Sequence, residues 1–499
     1  MHNGFSSIDW FIFVAYFLVL FLTSVMFSRI KITSSRDYFI GNNSIPLWAS
    51  AISILATSQS AATFLGGPEY SYSKDMTFIG FYISAFIAVY LVSRYIIPRF
   101  YDIKAVTVYE LLENRYGASA KKDAGIMFLI GRVFASGARL YIGALAISMI
   151  IFMDTSAYDV FISVVILMFG ALAYAYFGGI KSIIYSDIIQ AVTYIGAGVG
   201  IAIYLYMSLN SDISTVITTL YQNDKLKFID YSIDGSFNIW ALMSGWLLLN
   251  IAAYGLDQDM TQRALSCKDA KDAQKSMMLS IYMTIPVALL FMIIGLMLYL
   301  FYHHPEISNI TDKIDQHFNG EKITIFMYYI LHQMPDGLKG LVTVGAVAAA
   351  LSSSNSVLGA MSSVAIEDLY KPWRLQKGFV NEEHFIKAGK VAVVFFAIVL
   401  SIMAMLSYYW QHYTNLPLLS FALGVMAFAY SGLIGVYAVA LFSHKGNQKS
   451  VRYALISGFA TVFVLQPYIS DIHIGFAWQL LIGSIVSGIV MLTLPLKNG

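Results

Sequence analysis

Five consecutive polar residues, Ser352-Ser353-Ser354-Asn355-Ser356, interrupt an otherwise apolar stretch that starts near residue 338. Hydroxyl and carbonyl oxygens suit sodium, a hard cation that wants oxygen ligands but needs less negative charge around it than calcium does. Ser352 and Ser353 offer two hydroxyls. Ala349, about one turn earlier among small residues, offers a carbonyl. A second polar run, Thr57-Ser58-Gln59-Ser60 with Thr63, sits inside another apolar stretch and is followed by Gly66-Gly67-Pro68, which break helices. A broken helix frees carbonyls, and those of Ala56 and Gln59 would complete an oxygen cage with the serines. The structural alternative is that the serines bond back to their own helix at a close interface and that the second stretch is a kinked packing helix.

Arg132, Ser136 and Arg139 form the third cluster. Spacings of four and seven put all three on one helical face. A charge at the centre of a membrane helix costs about 2.5–3.5 kcal/mol on insertion scales, so an intramembrane arginine points to function, and a guanidinium matches a carboxylate in two-pronged fashion. The expected solute therefore carries a carboxylate. Either arginine could face it, and a structural ion pair or snorkelling is the alternative for Arg132. Asn250, the polar centre of another apolar stretch, either hydrogen-bonds solute or bridges helices.

These clusters need long apolar elements to hold them, and the composition supplies them. The chain has 499 residues, 58% hydrophobic and 12% charged, against about 25% charged in a typical soluble domain. A net charge of +2 gives no reason to expect a nucleic-acid partner. One cysteine, Cys267, excludes an internal disulfide. Runs of about 18 or more apolar residues read as membrane spans, here at 9–28, 45–71, 77–98, 123–152, 157–177, 181–208, 236–256, 276–303, 338–369, 385–408, 415–442, 451–468 and 473–494. The first lacks a basic leader and reads as a retained helix. The short apolar run 323–333 reads as an interfacial helix in a loop.

Thirteen spans with the N-terminus outside place 22 of the 31 lysines and arginines in cytoplasmic loops, Arg263 among them, and six outside; Arg94, Arg132 and Arg139 fall within spans. That asymmetry is the one short cytoplasmic loops show. The expected location is a bacterial-type inner membrane, the C-terminus cytoplasmic, with the protein working as a monomer in the bilayer. Segments 1–44, 45–210, 211–442 and 443–499 divide the chain into an extra helix with its loop, two five-helix repeats and two C-terminal helices. The second and seventh spans become core helices one and six once the first is set aside. Those are the positions where inverted-repeat transporters break their helices. No catalytic constellation, phosphate loop or metal-ligand spacing appears, so an enzyme is not expected.

The runs Phe177-Gly178-Gly179-Ile180-Lys181 with Tyr185-Ser186-Asp187 and Gln190, Gln258 with Gln262-Arg263, and Ser352-Ser353 with Glu367-Asp368-Leu369-Tyr370 together resemble the sodium/solute symporter family, over most of the chain. The resemblance implies an all-α membrane fold with a five-plus-five inverted-repeat core. It also implies import of a small organic solute on the sodium gradient by alternating access, with sodium as the co-transported ion. A sodium site of Ala56, Gln59, Ala349, Ser352 and Ser353 follows from it. Some members hold a second sodium with an Asp and two hydroxyl residues. Here Asp187 and Ser356 match but Asn355 replaces a hydroxyl, and the alternative for Asp187 is an ion pair or a helix-terminal charge. Sialic acid transporters of the family look similar around Ser58, Ser60, Thr63 and Phe78, and their arginine falls on Arg132. Phe81 stands where they carry Gln, and Ala253 where a galactose transporter carries Tyr. Proton coupling through Asp187, a neutral-sugar or polyol substrate, and a non-transporting sensor are the competing readings.

Overall fold

The computed structural model describes residues 5–29, 31–233, 236–308, 316–318, 321–379, 381–414, 424, 426–466, 469 and 474–493. Apart from one antiparallel pair, His317–Phe318 with Glu321–Lys322, its regular structure is helical. The first span is Ser7–Ser28, started by a capping box between Ser6 and Asp9. The third is Ile79–Leu91 continued to Asp102, and the fourth Ala118–Ile147 continued to Phe152. The eighth is Ala270–His303, the ninth Leu338–Ser363 continued to Gln376, and the tenth Glu382–Thr414. Ala427–Phe442, Gln448–Val464 and Phe476–Thr493 carry the last three; residues 415–423 of the eleventh lie outside the described residues.

Ala157–Met207 is assigned as one helix of 51 residues. At 1.5 Å per residue it would be more than twice as long as a bilayer core is thick. Gly179 breaks it, with φ 56° and ψ −149°, into the expected fifth and sixth spans. A Cβ at Gly179 would stand 2.4 Å from the Tyr38 carbonyl oxygen, so neither the backbone angle nor the space admits another residue.

The second span is broken, but not where the glycines and proline predict. Leu47–Ser58 ends and Ala61–Ser73 begins across extended Gln59 and Ser60. Ser60 and Thr63 form a capping box, so the local polar sequence starts a new helix three residues after the old one stops. Gly66-Gly67-Pro68 lie inside that second helix, and it is Gly295 of the eighth span that permits close approach there: a Cβ on Gly295 would meet the Pro68 carbonyl at 2.1 Å. The seventh span, Ile239–Leu242 and Gly245–Gly255, bends by 49° into a further helix, Gln258–Leu265, where the sequence suggested a loop. The run 323–333 forms Ile325–His332, largely buried and anchored by the Ile325 N–H on Glu69 Oε2 at 2.6 Å.

The ninth span lies at the centre. In its most apolar stretch 89% of residues are buried, against 28% for the peripheral first span, whose Phe11 and Phe21 face outward. It packs on the first, second, fourth, tenth and the fifth–sixth pair. Small residues permit this: Gly345 fits against Ala197, and Gly143 against Ala350.

Gly179→Ala is expected to lower the thermal unfolding midpoint of the detergent-purified protein, because the strained backbone alone costs about 1–3 kcal/mol before the clash with Tyr38. Gly196→Ala, where an added Cβ meets nothing within 4 Å, is expected to leave it unchanged.

Candidate functional site

The two breaks sit beside one another. At the first, the Gln59 N–H closes the last helical bond, to Leu55 O at 3.1 Å. The Ser60 N–H, which an unbroken helix would give to Ala56 O, donates to Thr63 Oγ1 at 2.8 Å instead. The broken end meets the ninth span through Thr57 Oγ1 and Ser356 Oγ, 3.2 Å apart. On that span Ser353 Oγ bonds back to the carbonyls of Ala349, at 3.2 Å, and Ala350, at 3.1 Å, while Ser352 Oγ donates to Asp187 Oδ1 at 2.9 Å. Ala56, Gln59, Ala349 and Ser352 are all buried. The Gln59 side chain accepts from Tyr194 at 3.2 Å and keeps a buried, unpartnered Nε2.

Around the second break lies a chain of buried charges. Arg132 Nη2 is 2.6 Å from Asp257 Oδ2 and 3.3 Å from Asp259 Oδ2. Tyr430 OH of the eleventh span also donates to Asp257 Oδ2. Arg263 pairs with Asp259 at 3.4 Å and with Asp187 Oδ2 at 3.2 Å. Arg263 is completely buried, although charge counting placed it in a cytoplasmic loop. Asp187 is equally buried, so its ion-pair alternative is realised, at the protein's centre rather than at its edge. Asn355 Nδ2 donates to Ser186 Oγ at 3.1 Å and Asn355 Oδ1 accepts from Ser356 Oγ at 3.4 Å.

A cavity of ≈ 70 Å³ lies between the breaks. At about 10–15 Å³ per water it holds a handful of them, a closely fitted space. Of the residues named as solute contacts, Ser58, Ser60, Thr63, Phe81, Arg132, Arg139 and Asn250 line it. Asn250 Nδ2 donates to Phe81 O at 3.3 Å, bridging the seventh and third spans. Phe78 does not line it: it is buried beside it, packed on Phe81, Tyr82, Tyr70 and Phe237. Ser136 lines a smaller neighbouring cavity together with Arg139 and Ser353. Sequence reading missed Asp259, Tyr254, Tyr82 and Tyr430 on the walls. A signal existed, since two intramembrane arginines call for nearby carboxylates and Asp257 and Asp259 flank a polar break.

The two arginines differ. Arg132 is held by two carboxylates and stands 5.9 Å over the Phe128 ring. Arg139 reaches both cavities, donates from Nη2 to Met426 Sδ at 2.9 Å, and has no carboxylate within ion-pair distance among the described residues.

Two interrupted membrane helices facing each other across a cavity that holds two arginines, with a serine-rich helix beside them, define a secondary transporter. The chain belongs to the sodium:solute symporter family, whose sequence model matches residues 38–458. It is therefore a multi-pass membrane symporter that couples a small organic solute to sodium. The sodium/sialic acid symporter SiaT of Proteus mirabilis (strain HI4320) is 27% identical over 489 residues, 95% of this chain and 92% of the relative. The sodium-coupled monocarboxylate transporter 1 of Homo sapiens is 25% identical over 433 residues, 86% of this chain and 67% of the relative. Among solved structures, a substrate-bound outward-open Na+-coupled sialic acid symporter superposes with a TM-score of 0.83 at 26% identity, covering 99% of each chain. A nucleobase-cation-symport-1 family transporter in a closed conformation shares the fold at a TM-score of 0.53 and 14% identity, covering 91% of this chain and 93% of its own.

Removing one partner of a buried pair costs about 3–5 kcal/mol. Arg132→Gln is thus expected to lower thermal stability sharply, whereas Arg139→Gln leaves the unfolding midpoint close to that of the parent protein.

Proposed function

We propose that the protein imports a hydroxylated carboxylate of the sialic acid type together with sodium. The observation that carries this is Arg139, an arginine without a carboxylate partner among the described residues that opens onto a cavity walled by Ser58, Ser60, Thr63 and Asn250. Its guanidinium takes the carboxylate in a two-pronged bond; the hydroxyls and the amide take the sugar oxygens. Arg132, whose Nη2 pairs with both Asp257 and Asp259, positions the broken seventh span. The two sialic acid symporters of bacteria among the relatives support the same solute class.

In this reading sodium takes the carbonyls of Ala56, Gln59 and Ala349 and the hydroxyls of Ser352 and Ser353. The Ala56 carbonyl, released by the break, and the Ala349 carbonyl beside Ser353 support this set. Sodium draws the second and ninth spans together, which shapes the cavity for solute. Repeats 45–210 and 211–442 then rock about it, flanked by 1–44 and 443–499. The solute crosses chemically unchanged. The surplus of basic residues in one set of loops supports an N-terminus outside the inner membrane and a cytoplasmic C-terminus, with the monomer as the working unit.

The test is uptake into reconstituted vesicles over sialic acids, monocarboxylates, amino acids and neutral sugars, under imposed sodium or proton gradients. Sialic acid uptake driven by sodium is expected, and it should fall to background in Arg139→Gln. Neutral-sugar uptake that survives that substitution, or uptake driven equally by protons, would sink the reading. Ser353→Ala is expected to raise the sodium concentration for half-maximal uptake about tenfold, the equivalent of ~1.4 kcal/mol, with solute affinity at saturating sodium little changed.

A further inference from the structure

The three glutamates that flank the basic loop between the ninth and tenth spans are engaged. Glu367 and Glu382 pair with Lys371 at 3.3 and 3.5 Å, and Glu383 pairs with Lys387 at 2.7 Å. Arg374 and Lys377 have no carboxylate within ion-pair distance among the described residues; their partners are rings. The Arg374 guanidinium carbon lies 4.1 Å from the Phe379 ring centroid and 5.8 Å from that of Trp373, and Lys377 Nζ lies 4.0 Å from the same Trp373 centroid. No side-chain nitrogen of Arg374 donates a hydrogen bond within the protein among the described residues, and its Nε is buried without a partner. A ring holds a guanidinium by its face, so the N–H edge that grips an anion stays free. Trp373 and Leu375, on either side of Arg374, are exposed.

The depth of this cluster follows from the tenth span. Val391, Val394, Phe395 and Ile398 are exposed at one-turn spacing and form its outward apolar face. Phe385, whose ring centroid is 6.2 Å from that of Phe379, precedes the first of these by six residues, about 9 Å of helix. It therefore stands outside the hydrocarbon, at the level of the headgroups. We infer that Arg374 and Lys377 form a binding site for the phosphate of an anionic phospholipid. The guanidinium edge takes two phosphate oxygens and the lysine adds a second positive charge. A zwitterionic headgroup brings its own cation and leaves these two uncompensated, whereas a net-negative one balances them. A soluble anion gains nothing from the exposed Trp373 and Leu375, but a lipid does, because tryptophan favours the membrane interface and its acyl chains cover apolar side chains. The site closes the end of the helical run that begins at Leu338, so bound lipid steadies the span at the centre of the fold.

The test follows the unfolding midpoint of the full-length protein in detergent during titration with dihexanoylphosphatidylglycerol, dihexanoylphosphatidylcholine or inorganic phosphate. A saturable rise is expected with phosphatidylglycerol alone. Arg374→Gln and Lys377→Gln should each raise the concentration that gives half the rise about tenfold, and the double variant should abolish it. The midpoint before lipid is added should stay close to that of the parent, because neither side chain makes a hydrogen bond or ion pair within the protein among the described residues. Lys387→Gln removes a lysine already paired with Glu383 and should leave the response to phosphatidylglycerol as in the parent. A full response in the double variant overturns the assignment to these residues. An equal rise with phosphatidylcholine overturns the need for a net-negative headgroup. A rise with inorganic phosphate shows a site for soluble anions and overturns the lipid, and no rise with any of the three overturns the site itself.

Discussion

Arg132, Asp257, Asp259, Arg263 and Asp187 form one continuous chain of buried ion pairs through the centre of the protein, and the rest of the site takes its position from it. A charge taken out of water is tolerable only when partners neutralise it and hydrogen bonds saturate it. Here the ion-pair partners come from the fourth, sixth and seventh spans, and hydrogen bonds add the second and ninth. Meeting that requirement ties the fourth span to the seventh and the seventh to the second, sixth and ninth. Tyr430 brings in the eleventh.

The breaks in the second and seventh spans make this possible. An intact helix satisfies its own backbone and presents only side chains. Where the second span stops, Ser60 turns its N–H to Thr63, and the Ala56 carbonyl goes without the donor an unbroken helix would give it. Where the seventh bends, Asp257 caps the helix Gln258–Leu265 through the Asp259 N–H at 2.8 Å and still reaches Arg132. Gln258 goes further: it bonds the backbone of Val106 and Val108 and the hydroxyl of Ser363. One short buried helix thus joins the segment after the third span to the ninth span.

The two arginines of the fourth span sit in different chemical company. Arg132 and Arg139 are seven residues apart on one face, so spacing treats them alike. What distinguishes them is company: two carboxylates against one thioether. A guanidinium already matched by carboxylates has little to gain from a third, whereas one that lacks them can bind an incoming anion without first breaking a pair.

Much of this architecture was legible in the residues alone. Membrane residence and thirteen spans follow from apolar runs and from the bias of lysine and arginine, because burying apolar surface and keeping charge out of hydrocarbon are local demands written along the chain. The polar runs at 57–60 and 352–356 announced themselves for the same reason. Three things were decided only in three dimensions. The second span breaks at Gln59–Ser60 rather than at Gly66-Gly67-Pro68, because a capping box of Ser60 and Thr63 starts a new helix that runs on through the glycines and proline. Arg263 is a central ion-pair partner rather than a loop cation. Both arginines line the cavity, but only Arg132 meets carboxylates within ion-pair distance among the described residues. Each depends on which groups from distant segments lie within about 4 Å, the range over which charges and hydrogen bonds choose partners, and linear spacing carries no record of that.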